Sequence, residues 1–237
     1  MRDKVFDKKI DLVDFKFNKE VIDVFNDMVR RSVPGYELML KIISLISRIY
    51  GKDNTNFYDL GASLGAVSLA LNIACKHKNI KTFAIDNSKE MTIQCSKNLK
   101  DKIPSLVVIC ADIEDIAINN ASIVVLNLTL QFIKPNKRLA IIDKIYQGLN
   151  KGGVLIISEK IHFENQATDT KINDLYTLFK KANGYSDLEI AQKRSVLDNI
   201  LITDTKATHI QRLKRVGFSQ IIRWYQCINF TSILAVK

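Results

Sequence analysis

Two periodicities divide the chain. From Asn18 to Arg30 apolar residues fall at Val21, Ile22, Val24, Phe25 and Val29, and Tyr36 to Tyr50 repeats the three-and-four spacing, so each stretch predicts a helix with one buried face. Between them RRSVPGY, Arg30 to Tyr36, carries Pro34-Gly35, which cannot continue a helix and predicts a turn. From Asn56 short β-rich runs alternate with amphipathic helices, the pattern of a parallel sheet covered on both faces. Strands are expected at Asn56 to Leu60, Lys81 to Asp86, Leu106 to Cys110, Ser122 to Asn127 and Val154 to Glu159. Helices are expected at Ala66 to His77, Ser88 to Leu99 and Lys137 to Leu149, the last closed by Gly148, Gly152 and Gly153.

Thr170 to Ile202 is helical in pattern and contains no strand, so it reads as an insertion covering one edge of the sheet, a lid or a partner surface. Its Leu175, Leu178, Phe179, Leu188 and Ile190 exceed what one thin layer buries, which predicts packing against a second subunit. A helix over Ala207 to Val216 ends at Gly217. The β-rich runs Gln220 to Cys227 and Phe230 to Val236, joined only by Ile228 and Asn229, must then be antiparallel neighbours, because a parallel connection needs about a dozen residues. No repeat or linker interrupts the pattern. Residues 1–237 therefore read as one α/β domain, with N-terminal helices over 18–50 and a helical cover over 170–202.

Composition narrows the class. A chain of 237 residues buries roughly three quarters of its unfolded surface and needs no disulfide or metal to fold. Cys75, Cys95, Cys110 and Cys227 form no C-x-x-C pair and read as reduced side chains in helix or strand interiors. MRDKVFDKKIDLVDF lacks an apolar leader core, and no later run approaches ~18 uncharged apolar residues, so a soluble cytoplasmic protein without a membrane partner is expected. The 35 Lys+Arg against 25 Asp+Glu give a net charge of +10, which admits an anionic small molecule or nucleic acid as partner. The lysines are dispersed, and a merely basic solvated surface explains them as well. His77, His162 and His209 have no metal-ligand spacing, so no metal is expected.

The chemistry concentrates in NFYDLGASLG, Asn56 to Gly65, a strand, a glycine-bounded turn and a helix. Read as G-x-S-x-G it is a hydrolase elbow, but only helices precede it and no acid stands convincingly between Ser63 and His209. A dinucleotide fingerprint fails because Ser63 and Ala66 occupy positions that need glycine. Asp59 followed by G-x-x-x-G suits instead a nucleoside with an amino-acid tail, the glycines admitting the ligand to the backbone and Asp59 accepting from its ammonium group directly or through water. Asp86 ends the second strand, where an acid chelates ribose hydroxyls, or else it serves only the helix that follows. Asp112 is placed for an adenine amino group with Ile113 against the ring, or is a plain turn residue. Asn127 ends the fourth strand among apolar neighbours, where an amide needs a partner: a ligand and a structural cap are equally open. Glu114 and Asp115 read as solvated loop carboxylates.

RSVPGY (Arg31 to Tyr36), YDLGASLG (Tyr58 to Gly65), AIDNS (Ala84 to Ser88), ADIEDIAINNAS (Ala111 to Ser122), VVLNLTLQF, DKIYQGLNKGG (Asp143 to Gly153), ISEK (Ile157 to Lys160) and KKANGYSDLEIAQKRSVLDN together closely resemble one family, carboxy-S-adenosyl-L-methionine synthase, from about Phe17 onward. One departure is Ala62, where the family's turn carries cysteine. The resemblance implies a Rossmann-like class I methyltransferase fold, a mostly parallel sheet of seven strands with an antiparallel C-terminal strand. It implies that S-adenosyl-L-methionine is a substrate: its sulfonium methyl loses a proton and captures the carboxyl group released by prephenate, and phenylpyruvate leaves. Carboxy-S-adenosyl-L-methionine is then the bound product, handed to a transferase that builds the 5-oxyacetic acid group on wobble uridine of tRNA. The implied contacts are Tyr36, Gly61, Ala62, Ser63, Asp86, Asn87, Asp112, Ile113 and Asn127, with Arg194 on the new carboxylate, in a homodimer. An ordinary S-adenosyl-L-methionine-dependent methyltransferase acting on RNA or a small molecule is the alternative that fold and charge also admit.

Overall fold

A computed structural model describes residues 19–197 and 200–237, so Asn18, the expected start of the first helix, lies outside it. Helices α1 (Lys19–Ser32) and α2 (Tyr36–Tyr50) meet at the expected Pro34-Gly35 turn. Gly35 takes φ +67°, and a Cβ there would lie 2.2 Å from Tyr225 Oη, which donates to Pro34 O at 2.6 Å. Only glycine satisfies both the turn and that close approach.

Strands β1 (Asn56–Leu60), β2 (Lys81–Asp86), β3 (Leu106–Cys110), β4 (Ala121–Asn127) and β5 (Leu149–His162) pair in parallel, in the order β3-β2-β1-β4-β5. The sheet continues through β8 (Phe230–Val236), antiparallel to β5, and ends at β7 (Gln220–Cys227), antiparallel to β8. The expected seven strands form this path, and an eighth, β6 (Asp204–Thr205), pairs with the end of β5. Two residues are too few for a period to register in sequence. β5 outruns its expected span because Leu149 pairs with Ala121 at one end while Lys160 and Ile161 pair with Phe230 and Asp204 at the other.

Connections α3 (Ala66–Ile73), α4 (Lys89–Leu99) and α5 (Pro135–Gly148) follow β1, β2 and β4. α3 stops before the expected His77: the His77 ring packs against Gly51 and the Lys78 N–H donates to Asp53 Oδ1, so tertiary contact overrides the helical pattern and Cys75 lies beyond the helix. Cys110, expected in an interior, is exposed. The insertion forms α6 (Gln166–Ala182) and α7 (Asp187–Leu197), and α8 (Lys206–Val216) precedes β7. The residues alternate across the sheet. Tyr58, Leu60, Val124, Leu126, Leu155 and Ile157 pack with α5 and α8, whereas Phe57, Ile123, Val125 and Ile156 pack with α2 and α3.

One polar anchor interrupts this core. Arg138 on α5 is wholly buried; it donates to Ile133 O (2.9 Å) and Ile202 O (2.7 Å) and pairs with Asp204 at 2.7 Å, where Arg212 of α8 also pairs. Burial opposes the Asp204 charge, but the two guanidinium groups hold its pKa below the ordinary value. His209 is buried beside them; burial first, then Arg212 and Arg138, pulls it down to about 4 against the attraction of Asp204. Its Nδ1 faces Arg212 Nη1 at 3.5 Å. A histidine held neutral in the fold and titrating near 6.5 when unfolded contributes stability that is whole above pH 6.5 and is lost as pH falls from there toward 4. Between pH 7 and pH 5 that share is about 2 kcal/mol. Urea unfolding should show His209→Gln losing correspondingly less over this interval than the unaltered protein; equal losses would remove His209 as the source.

Candidate functional site

Every loop that matters leaves the carboxyl edge of the sheet, and a belt of hydrogen bonds joins these loops. Glu159, three residues before the end of β5 and 1% exposed, accepts from the N–H groups of Thr129 (3.1 Å), Leu130 (2.8 Å) and Gln131 (3.1 Å), which turn sharply after β4. Burial pushes its carboxyl up to about 8, against the pull of those three N–H groups and of Arg138. Thr129 Oγ1 in turn donates to Leu60 O at 2.8 Å, linking β4 to β1. A Cβ on Gly61 would lie 2.4 Å from that hydroxyl oxygen, so glycine is required for the two loops to touch.

The loop after β1 is tied to β2. Gly61 and Ala62 N–H groups both donate to Ile85 O at 2.8 Å, and Ser63 N–H donates to Asp86 Oδ2 at 2.9 Å. The second oxygen of Asp86 accepts from Ser88 N–H at 2.9 Å, so the carboxylate serves both its own helix and the neighbouring loop. Burial raises the Asp86 pKa while these N–H groups lower it. Asn87 Nδ2 completes the belt by donating to Asp112 Oδ1 at 2.9 Å, beyond β3. Ser63 (φ +47°) and Leu128 (φ +60°) hold left-handed backbone on either side of the point where the order of parallel strands reverses. Strain of this kind persists where surrounding structure over-determines it, and the reversal point is where open sheets of this type bind ligands.

A cavity of about 520 Å³ opens over this edge, within the usual range of small-molecule sites. All ten residues singled out from sequence, Tyr36, Gly61, Ala62, Ser63, Asp86, Asn87, Asp112, Ile113, Asn127 and Arg194, line it. The Oδ1 of Asn127 is buried and has no hydrogen-bond partner among the described residues, so no cap from them satisfies it. Ala62 is buried with Cys95 and Leu99 and so offers the cavity its backbone. Burial raises the pKa of Tyr36, with a smaller push from Asp59.

Asp59 itself departs from expectation. It does not line the cavity; its Oδ2 accepts from Ser68 N–H (2.8 Å) and Ser68 Oγ (2.7 Å), anchoring α3, and burial raises it to about 7. Strand alternation points it away from the position that a ligand ammonium would need. Arg194 is exposed at the cavity mouth. Glu114 and Asp115 stand outside the lining, Glu114 being held by Lys137 at 2.7 Å. Sequence reasoning missed Glu159, Thr129, Lys160, Tyr176 and Lys180. A carboxylate ending the apolar run VLIIS was the available signal for the first. α1 was also missed as a wall: its Met28 and Val29 face the cavity beside Leu64.

The methyltransferase domain family matches residues 57–153. Carboxy-S-adenosyl-L-methionine synthase of Ruthia magnifica subsp. Calyptogena magnifica is 54% identical over 237 residues, the full length of both chains. That of Shewanella oneidensis is 49% identical over 226 residues, 94% of this chain and 93% of that one. Among solved structures, an O-methyltransferase family protein from Burkholderia thailandensis superposes with a TM-score of 0.67 at 13% identity, over 93% of this chain and 60% of that one. A SAM-dependent methyltransferase from Leishmania major gives 0.61 at 13% identity, over 92% and 77%. These two likenesses concern the fold alone.

The belt makes a prediction about the fold. Glu159→Gln leaves one of the three loop N–H groups facing an amide NH₂, and an unsatisfied buried donor costs about 1–3 kcal/mol. The urea midpoint should fall accordingly with an unchanged slope; an unaltered midpoint would mean that the loop is held without Glu159.

Proposed function

Because the chain belongs to the carboxy-S-adenosyl-L-methionine synthase family, we propose that it converts S-adenosyl-L-methionine and prephenate to carboxy-S-adenosyl-L-methionine, phenylpyruvate and water, supplying the 5-oxyacetic acid modification of wobble uridine in tRNA. The observation that carries the reading is the conjunction, in one cavity, of a nucleoside-type edge with the guanidinium of Arg194. A plain methyl donor site has no use for a carboxylate-binding fork beside the sulfonium; a carboxylated product does.

The residues present suit the nucleoside. Asp86 at the end of β2 is placed for the ribose hydroxyls, since each of its oxygens has a lone pair beyond the one used by Ser63 or Ser88. Asp112 and Ile113 stand over β3 for the adenine, and the Asn127 Oδ1 orphan awaits a donor from the amino-acid tail. When bound, S-adenosyl-L-methionine supplies a sulfonium that acidifies its methyl group. In the balanced reaction the ring of prephenate loses its carboxyl group to that methyl carbon and aromatises, and its departing hydroxyl takes the methyl proton as water. No protein base is then required, and the chain's task is to hold both substrates together away from solvent. α1, α6 and α7 form that cover.

The proposal includes a homodimer. Leu175, Leu178 and Leu188 remain 48%, 61% and 48% exposed on the insertion and do not line the cavity, while Ile190 does, so apolar surface is left outside it. A second copy seated there would shield the Arg194 fork from water. The setting is the cytoplasm, where tRNA is modified, and the product passes to the transferase acting on that RNA. Among the described residues no helix is long and apolar enough to cross a membrane.

Two measurements test the reading. Asp86→Ala should weaken S-adenosylhomocysteine binding by about 2–4 kcal/mol in calorimetry, through loss of charge-assisted bonds; an unchanged dissociation constant removes Asp86 from the site. Incubation with S-adenosyl-L-methionine and prephenate should yield phenylpyruvate and the carboxylated nucleoside by mass spectrometry, and Arg194→Ala should abolish the preference for product over S-adenosyl-L-methionine. Methyl transfer to an RNA or small acceptor, with no carboxylated product, would establish the methyltransferase alternative instead.

A further inference from the structure

Strand order divides the cavity into two halves of different chemistry. Asp112, Asp86, the turn after β1 and Asn127 occupy the half over β3, β2, β1 and β4. The other half lies over the end of β5 and beneath α6 and α7, and cations line it. Lys160 directly follows Glu159, Lys180 stands in the last turn of α6, and Tyr176 lies one turn earlier on the same helix. The Lys160 Nζ is 4.9 Å and the Lys180 Nζ 4.6 Å from the centroid of the Tyr176 ring, so one aromatic ring has two ammonium groups against it. Lys193, also in the lining, is engaged differently: its Nζ donates to Ser32 Oγ at 3.0 Å and Tyr185 Oη at 3.3 Å, bracing α7 against α1. Asp169, the acid among the described residues that line this half, accepts from Phe163 N–H and Asn173 Nδ2.

Gathering like charges in a half-buried site opposes folding unless an anion comes between them. Burial, followed by Lys160 and Arg194, brings Lys180 down to about 8. A ligand carboxylate reverses that balance at Lys180, because it offsets the desolvation and the repulsion that lower it.

We propose that Lys160 and Lys180, set over Tyr176, bind the carboxylate of the second substrate that is not transferred. The inference rests on the reading that this substrate is a dianionic carboxyl donor. In that reaction one carboxyl group loses its charge as its bond to the ring breaks and a bond to the sulfonium methyl carbon forms. Fixed ammonium groups gripping that group would stabilise the ground state over the transition state. The carboxylate of the departing keto acid keeps its charge throughout, so point charges there bind without impeding the step. Arg194, at the mouth on α7, is left for the carboxylate that arrives on the nucleoside. The two carboxylates are thus held by different cations of the same half of the cavity.

The test uses the full chain with Lys160→Gln, Lys180→Gln and Lys180→Arg. Each glutamine variant should raise KM for prephenate and the inhibition constant for phenylpyruvate together, at least about tenfold, with S-adenosylhomocysteine affinity within about twofold of the unaltered protein. Lys180→Arg should restore most of the loss. An unchanged KM in both glutamine variants, or a parallel loss of S-adenosylhomocysteine affinity, would overturn the assignment, the second by giving the lysines to the nucleoside's own carboxylate. If the unaltered protein makes no carboxylated nucleoside, the functional reading fails but the lysines are still judged by titrating phenylpyruvate into the S-adenosylhomocysteine-loaded protein. Binding that disappears in Lys180→Gln supports the subsite, and binding that is absent from the unaltered protein or unaffected in the variant rejects it.

Discussion

Glu159 ends the buried run of β5, and three successive backbone N–H groups converge on its carboxylate. The chain leaving β4 would otherwise expose unpaired donors inside the molecule, which a folded protein does not tolerate. With that turn held, Thr129 reaches Leu60, the Thr129 hydroxyl packs on Gly61, and the loop after β1 settles onto Ile85 and Asp86. The spacing of the groups around the cavity follows from one buried carboxyl group and the belt it begins. Because Glu159 makes no contact with the cavity, its part in ligand binding would be that of a positioning residue.

A second constraint closes the cavity from above. Arg31 donates to Asn183 O at 2.8 Å and stacks 3.9 Å over the Tyr185 ring, while Asn183 Nδ2 donates back to Arg31 O. Ser186 and Glu189 cap the start of α7 reciprocally, each accepting from the other's N–H, which fixes the direction in which α7 leaves the turn. RSVPGY and GYSDLEIAQKRS, the two stretches most specific to the family resemblance, are therefore halves of one clasp between α1 and α7, formed by residues about 150 apart in the chain. Tyr225 secures the first of them from the far edge of the sheet, through Pro34.

The cavity that results is electrically lopsided. Carboxylates and amides line the side over β2, β3 and β4, and ammonium and guanidinium groups line the side under the helical cover. On the proposed reading a sulfonium nucleoside would be drawn to the first side and a carboxylate donor to the second. Opposed preferences of this kind bring two reactants face to face, and orientation supplies much of what a reaction without a dedicated base needs.

How much of this was legible beforehand depends on the range of the interaction responsible. β1, β2, β3, β7 and β8 fall where hydrophobic alternation and turn residues place them, because burial pattern and local backbone preference suffice to define a strand. The ten lining residues were found because ends of strands and glycine turns are local features, and because the family resemblance carries whole motifs. Sequence alone could not turn Asp59 toward Ser68 and away from the ligand, shorten α3 at Ile73, or leave Arg194 exposed at the mouth. Nor could it tell that no described neighbour reaches the Asn127 oxygen, since that rests on packing in space. The pairing of Lys160 with Lys180 over Tyr176 was equally hidden, for it joins a strand end to a helix that arrives from elsewhere in the chain. Periodicity and turn chemistry are properties of neighbours along the chain and so belong to the sequence; the partner of a buried charge or an orphan amide is a neighbour in space, and only packing decides it.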